Sequence, residues 1–219
     1  YESHLNSSMV SHLQLKARNL EMRYLNDISD PLVVDIASND GTLLSGYSSR
    51  VTKVGIDPLI DIVSNFYPQD AIKLNNFFDE DVYFRRVSRK ANLVTSLSVI
   101  YDLDDPIKFA REVANILEDG GIWHFEQSYL VSMVKTLSYD TICHEHLEYY
   151  SLKTVKYILD KTNFKIVDIQ LNQINGGSFA LTVAKKKSKK FDKSKLIDWL
   201  LKKEEIFNFN SIKTIKLFA

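Results

Sequence analysis

Between Tyr139 and Leu152 the chain reads YDTICHEHLEYYSL, a stretch dense in groups that bind or move protons. His144 and His146 flank Glu145, and they are two of only five histidines in 219 residues. Three readings fit the pattern. As metal ligands, two histidines two apart would share one face of a strand, but a third and fourth ligand at usable spacing are missing, so no metal site is predicted. As acid–base groups, His144 and His146 suit proton abstraction next to a carbonyl, because a free imidazole titrates at ~6.5, with Glu145 orienting a substrate or tuning its neighbour. The third reading is a polar surface loop.

A second set of chemistry-bearing residues lies at two strand ends. The apolar run Leu32-Val33-Val34, bounded by Asp30-Pro31, predicts a strand buried on both faces that ends in Asp35. A turn of small and polar residues comes next, Ala37-Ser38-Asn39-Asp40-Gly41, and Thr42-Leu43-Leu44 reads as the start of a helix. The next β-branched run, Val51 to Ile56, ends in Asp57-Pro58, 22 residues after Asp35. In open α/β sheets the ligand sits beyond the carboxyl ends of the strands, and an acid at the second strand end can accept both hydroxyls of a ribose. The dinucleotide fingerprint needs three glycines and only Gly41 is present; the P-loop run Gly-Lys-Ser/Thr is absent from the chain. The remaining pattern resembles motif I of the S-adenosylmethionine (SAM) methyltransferases, with Ala37 where a glycine is common.

The elements that must hold these residues emerge from periodicity. Asn6-Ser7-Ser8 caps a helical stretch running toward Asn26, a flank or lid before the first strand. A helix from Asp61 to about Tyr67 stops at Pro68. A short strand around Ala71–Lys73 precedes a short helix over Asp79–Val87. Ala91–Leu97 is a buried strand, Pro106–Leu117 an amphipathic helix ended by Asp119-Gly120-Gly121, and Ile122–Gln127 the next strand. Alternating strands and helices imply a parallel sheet with crossovers. After Tyr129 the pattern changes. Short helices over Val131–Leu137 and Ser151–Thr162 precede an antiparallel pair, Phe164–Ile169 and Ser178–Ala184, turned by Asn175-Gly176-Gly177. The basic run Lys185–Lys195 reads as a solvated linker, and Leu196–Ala219 as an amphipathic helix with no core of its own.

Composition narrows the function classes. The chain has 28 basic and 28 acidic residues, so bulk electrostatics does not drive it onto nucleic acid. A single cysteine, Cys143, excludes an internal disulfide and fits a reducing cytoplasm, where the protein is expected. No run of 18 apolar residues or signal peptide is seen, so neither membrane nor nucleic acid is an expected partner; a small molecule is. The chain starts at Tyr1 and reads as a fragment of a longer protein.

Taken together, DTICHEHLEYYSL resembles the D-T-I-Y-H-E-H-x-x-Y-[FY]-S motif of the sugar C-methyltransferases, which methylate a ring carbon of nucleotide-linked 4-keto-deoxysugars. VVDIASNDGTLL resembles their D-I-G-S-N-D-G motif, and Gly55-Ile56-Asp57-Pro58 their second strand end. GGIWHFEQSYL and NGGSFALTVAKK resemble their G-x-x-x-F-E-Q-x-Y-L segment and their closing strand, and Tyr1 with Ser7-Ser8 a segment before their first helix. The resemblance spans almost the whole chain. It implies a Rossmann-like class I SAM methyltransferase fold: a mostly parallel seven-stranded sheet with a C-terminal antiparallel hairpin and flanking helices.

The same resemblance implies roles. His146 is the general base and Glu145 helps hold the sugar, with His144 beside them. Asp35, Ala37, Ser38, Asn39, Gly41, Asp57, Pro58, Asn76, Phe77 and Ser96 are expected at SAM; Tyr1, Cys143, Ser98, Asp102, Glu126 and Gln127 are expected at the substrate. Residues 1–30 form the helical flank, 31–187 the SAM-binding core, and 188–219 a linker and the start of a truncated C-terminal region. The zinc of the family belongs to an N-terminal domain outside this chain. Two departures concern the substrate. Cys143 replaces the tyrosine before H-E-H, losing a phenol that can hydrogen-bond a keto or enolate oxygen. Ser98 and Asp102 stand where the family often has N-x-x-x-H. Beside C-methylation, two further functions remain: a SAM-binding domain that does not methylate, and an O- or N-methyltransferase of a small molecule.

Overall fold

The computed structural model describes residues 3–63, 67–192, 194–209 and 211–218. Seven strands form one sheet: β1 (Leu32–Ile36), β2 (Thr52–Ile56), β3 (Ile72–Leu74), β4 (Ala91–Leu97), β5 (Leu117–Ser128), β6 (Phe164–Asn172) and β7 (Ser178–Lys185). Their order is β3-β2-β1-β4-β5-β7-β6. β1 pairs in parallel with β2 and β4, β2 in parallel with β3, and β6 antiparallel with β7. The expected mostly parallel sheet closed by an antiparallel pair is therefore found. All five residues of β1 are buried, as a central parallel strand covered on both faces requires. The strand order reverses direction between β1 and β4, the switch point beyond which such sheets bind ligands.

Helices flank the sheet: α1 (Ser7–Leu20), α2 (Ile60–Val63), α3 (Glu80–Arg86), α4 (Pro106–Ile116), α5 (Leu130–Thr136), α6 (Leu152–Lys161), α7 (Lys195–Ile206) and α8 (Ile212–Phe218). Asn6 caps α1 as its sequence predicts, its side-chain oxygen accepting from the amides of Ser8 and Met9 at 3.0 and 3.2 Å. Two compact units are distinguishable: residues 1–96 with 115–123, and residues 97–114 with 124–219.

Two expectations change. The helix predicted to begin at Thr42 is only a one-turn 3₁₀ segment, Leu44–Gly46. The reason is α1: a Cβ on Gly46 would meet the Gln14 backbone and the Ala17 side chain at 2.8 Å, so α1 lies directly on that segment. The helix predicted for Asp61–Tyr67 is found as α2 over Ile60–Val63, and residues 64–66 lie outside the described ones. β5 begins at Leu117, five residues before the predicted strand, and runs through Asp119-Gly120-Gly121; a Cβ on Gly121 would meet the Asn92 carbonyl oxygen at 2.9 Å, so the glycine lets the chain lie close against β4 instead of stopping it.

In the second unit the tail helix α7 packs against α6 and β6, burying Ile197, Leu200 and Glu204. Glu204 is 1% exposed. It accepts hydrogen bonds from the Tyr129 hydroxyl and the Leu152 amide at 2.7 Å and from the Lys153 amide at 3.0 Å. The first amides of a helix have no partner within it, and a carboxylate also suits the positive end of the helix dipole. Glu204 thus caps α6 from a helix some fifty residues later. Glu204→Ala leaves two buried donors and a part-buried one unpaired and is expected to cost about 3 kcal/mol. In a domain of this size that lowers the melting temperature by about 6–12 °C in a thermal scan; an unchanged melting temperature would contradict the capping role.

Candidate functional site

In the first unit, register places the two strand-end acids together. Asp35 pairs with Gly55 and Ile36 with Ile56, so Asp57 emerges from β2 at the same end of the sheet as Asp35 emerges from β1. Between them the turn changes hand repeatedly. Ala37, Asn39 and Gly41 have φ values of 55°, 48° and 79°, in the left-handed region. Ala37 adopts it at a cost of about 1 kcal/mol that a glycine would avoid. At Gly41 no side chain fits, because a Cβ would lie 2.9 Å from the Tyr67 ring.

Every amide from residue 38 to 42 is already occupied within this region. Ser38 donates to the Ile56 carbonyl and Gly41 to the Ser38 carbonyl. Asn39 donates to Asp57 Oδ2 at 2.9 Å, Asp40 to Asn39 Oδ1 at 2.9 Å, and Thr42 to Asp40 Oδ1 at 3.0 Å. The turn is therefore no phosphate cradle, which would need free amides. Its lining is instead acidic: Asp35, Asp40 and Asp57, all less than 7% exposed. A ligand carrying positive charge and a ribose matches that lining, as SAM with its sulfonium and ammonium does.

The three acids differ in how they are held. Asp57 Oδ1 also accepts from the Leu59 amide at 2.8 Å, which fixes its carboxylate at the mouth of β2. Burial works upward on Asp40, but hydrogen bonds from Thr42 and His4 outweigh it and hold the carboxyl below its ordinary range. His4 makes two of them, through its amide at 2.8 Å and its ring Nδ1 at 3.0 Å, tying the segment before α1 to the turn. Asp35 has one strong donor, the Thr95 hydroxyl at 2.6 Å. Burial, reinforced by Asp57 and Asp40, pushes its carboxyl up to about 7 against that bond.

An acid raised in the folded state favours folding only while it is protonated, so this contribution is lost as pH rises from about 4 through 7. Asp35→Asn removes the burden. The ligand-free variant is expected to be more stable than the parent at pH 8, by at most on the order of 4 kcal/mol, with the gap closing by about pH 4. Urea unfolding across that range measures it, and a variant no more stable at pH 8 would refute the assignment.

The other residues expected at the cofactor are spread around the same strand ends. Ser38 is buried and its hydroxyl bonds the Tyr67 phenol at 2.5 Å. Pro58 is exposed beside Asp57. The Asp57 amide donates to Leu74, which brings the end of β3 alongside, and Asn76 and Phe77 come after it, both exposed. Ser96 is fully buried in β4, its hydroxyl accepting from the Trp123 indole at 2.9 Å. Tyr67, Thr95 and Asp40 are contributors that pattern reading did not single out; only the polar Thr95 inside an apolar strand carried a signal.

In the second unit the residues following β4 meet the histidine loop. The amides of Leu147 and Glu148 both donate to the Tyr101 carbonyl, at 3.0 and 3.1 Å, fastening the loop to the 3₁₀ turn Ile100–Asp102. His146 is half-buried, its ring centroid 4.3 Å from that of Tyr101 and 6.3 Å from that of Tyr149. Its Nδ1 lies 2.9 Å from the Thr141 carbonyl oxygen. A carbonyl only accepts, so in the neutral ring Nδ1 carries the proton and Nε2 keeps its lone pair, the tautomer of a base. Burial pushes the Asp102 carboxyl up to about 6, with His146 opposing and Glu145 adding to the rise. These three groups share one electrostatic neighbourhood. His144 and Glu145 are exposed, and Cys143 is a half-buried free thiol. Among the described residues no three side chains are grouped to hold a metal.

Ser98 enters this region in the left-handed conformation, φ 57°, held by its amide donating to the Glu126 carbonyl at 2.7 Å. The Glu126 carboxylate accepts from Asn172 at 2.7 Å. Gln127 is 1% exposed and neither atom of its amide has a hydrogen-bond partner among the described residues. A buried amide without partners marks a place where a ligand or water completes the bonding. Tyr1 lies outside the described residues. Tyr101 was missed, although an aromatic residue soon after a strand end was the available signal.

Known proteins share this architecture. A family model described as a methyltransferase domain matches residues 9–169. The C-methyltransferase NovU of Streptomyces niveus is 25% identical over 180 residues, covering 81% of this chain; the chain spans 43% of that relative's length. Magnesium protoporphyrin IX methyltransferase (ChlM) of Synechocystis, solved with S-adenosylhomocysteine, superposes at TM-score 0.57 with 13% identity, covering 81% of this chain and 84% of its own. The N-methyltransferase NodS of Bradyrhizobium japonicum, also with S-adenosylhomocysteine, superposes at 0.56 with 12% identity over 78% and 86%. At such identities the likeness is one of fold, that of the class I SAM-dependent methyltransferases.

Proposed function

The chain belongs to the methyltransferase domain family, and from that premise we propose that it transfers a methyl group from SAM to a carbon adjacent to the ketone of a nucleotide-linked keto-deoxysugar. The observation that carries this reading is the anchored imidazole of His146, whose Nδ1–H bond to Thr141 leaves Nε2 as a base. The motif resemblance around the two histidines supports it, as does the likeness to a protein named a C-methyltransferase.

SAM, when bound, supplies a methyl group already activated by its sulfonium. Asp57 accepts the ribose hydroxyls, the turn from Ala37 to Gly41 lets the backbone come close, and Asp35 and Asp40 favour the cationic ligand. His146 Nε2 removes the proton next to the ketone, and Asp102 stabilises the imidazolium that results. The enolate carbon then takes the methyl. The protein's contribution is alignment and the electrostatics of the enolate. Glu145, Glu126 and Gln127 hold the sugar, the last through its unpartnered amide.

The experiment supplies methyl-labelled SAM and thymidine diphosphate 4-keto-6-deoxyglucose and monitors the product by mass spectrometry. A gain of one methyl on carbon supports the reading. Methylation on oxygen or nitrogen, or SAM binding with no product, removes it.

A further inference from the structure

The position before the two histidines, where the sequence motif calls for a phenol, holds Cys143, and a thiol is a weak donor. A phenol nevertheless stands against the second of those histidines, the ring of Tyr101. Tyr101 belongs to the 3₁₀ turn after β4, yet it is the residue on which the histidine loop is built. Its carbonyl receives the amides of Leu147 and Glu148, and its ring packs against His146 at 4.3 Å with the planes tilted by 52°. Cys143 and Asp102 lie close enough to act electrostatically on its hydroxyl, and the Ser98 hydroxyl sits beside it. Ser98 itself is held in a strained left-handed conformation, the kind of cost that persists where geometry is needed for function.

We propose that Tyr101 is a catalytic residue, its phenolic hydroxyl donating a hydrogen bond to the ketone oxygen of the substrate and holding the enolate oxygen while His146 takes the neighbouring proton. This deepens the base-assisted reading and rests on it. The C–H electron pair becomes the C=C bond of the enolate, the carbonyl pair moves to oxygen, and the proton goes to His146 Nε2. When the carbon takes the methyl, the S–CH₃ pair leaves with sulfur as the thioether, the C=O bond reforms, and the phenol keeps its proton throughout. A phenol carries its proton at neutral pH, and burial raises this one further above its ordinary range against the pull of Ser98. The phenol missing at residue 143 is thereby supplied from a different element.

The test is proton exchange next to the ketone, monitored by NMR in D₂O with thymidine diphosphate 4-keto-6-deoxyglucose as the probe and buffer exchange subtracted. Tyr101→Phe keeps the ring against His146 and removes one oxygen. It is expected to slow exchange about 10²-fold, the effect of losing one oxyanion donor, with the dissociation constant of SAM unchanged within twofold. Adding Cys143→Tyr to that variant is expected to recover at least tenfold, a rescue that a purely structural role of Tyr101 does not predict. Exchange by Tyr101→Phe within threefold of the parent, while His146→Ala is slow, overturns the role of Tyr101 alone. A parent protein that exchanges no faster than His146→Ala overturns the base reading, and this inference with it.

Discussion

His146→Ala is expected to lower methyl transfer by about three orders of magnitude while leaving SAM affinity within twofold. The expectation comes from one hydrogen bond and its consequence. The Thr141 carbonyl fixes the proton on Nδ1 at 2.9 Å, so Nε2 is the basic nitrogen, and Tyr101 holds the ring plane from one side. A positioned general base contributes about 10²–10⁴ in rate, and alanine provides nothing in its place. Asp102, electrostatically coupled to the ring, supports the imidazolium as it forms. The contacts proposed for SAM come from residues of the first unit, so affinity is expected to survive. Steady-state turnover with the keto-sugar nucleotide and calorimetry with SAM separate the two. Turnover within fivefold of the parent would falsify the assignment of the base.

Asp57→Ala produces the largest expected effect on the cofactor. The carboxylate accepts from the amides of Asn39 and Leu59, at 2.9 and 2.8 Å, which leaves acceptor capacity on both oxygens for a ribose diol. Two hydrogen bonds to a charged acceptor, each worth about 1.5–3 kcal/mol, are lost, and water replaces them only in part. The dissociation constant of SAM is expected to rise about 10²–10³-fold by calorimetry. Asp57→Asn keeps one acceptor and is expected to lose less. An affinity within threefold of the parent in Asp57→Ala would mean that the ribose sits elsewhere.

Much of this architecture was legible from pattern. The buried run Leu32–Ile36, the acid 22 residues after Asp35 and the alternation of strands with helical segments lead to the parallel half of the sheet because each signal is local. Asn6 and Ser151 announced their helices, and Asn175-Gly176-Gly177 the turn between β6 and β7, for the same reason. The missing helix after Leu44 was not legible. Its absence is enforced by α1, whose Gln14 and Ala17 press on Gly46 from about thirty residues earlier in the chain.

The side-chain roles divide in the same way. Residue type and order alone determined that Asp35 and Asp57 close adjacent strands, that a small-residue turn with Gly41 leads on from the first of them, and that two histidines and a glutamate stand together at residues 144–146. Only the folded chain decided which histidine nitrogen is free, since that depends on a carbonyl five residues away whose direction no spacing rule gives. It alone decided that the amides of the turn are already used and that Asp35 is pushed up to about 7, because burial and like charge are sums over neighbours from several strands. The same holds for Tyr101 against His146 and for Glu204 capping α6, pairs brought together across 45 and 52 residues by packing, to which a local reading of the chain has no access.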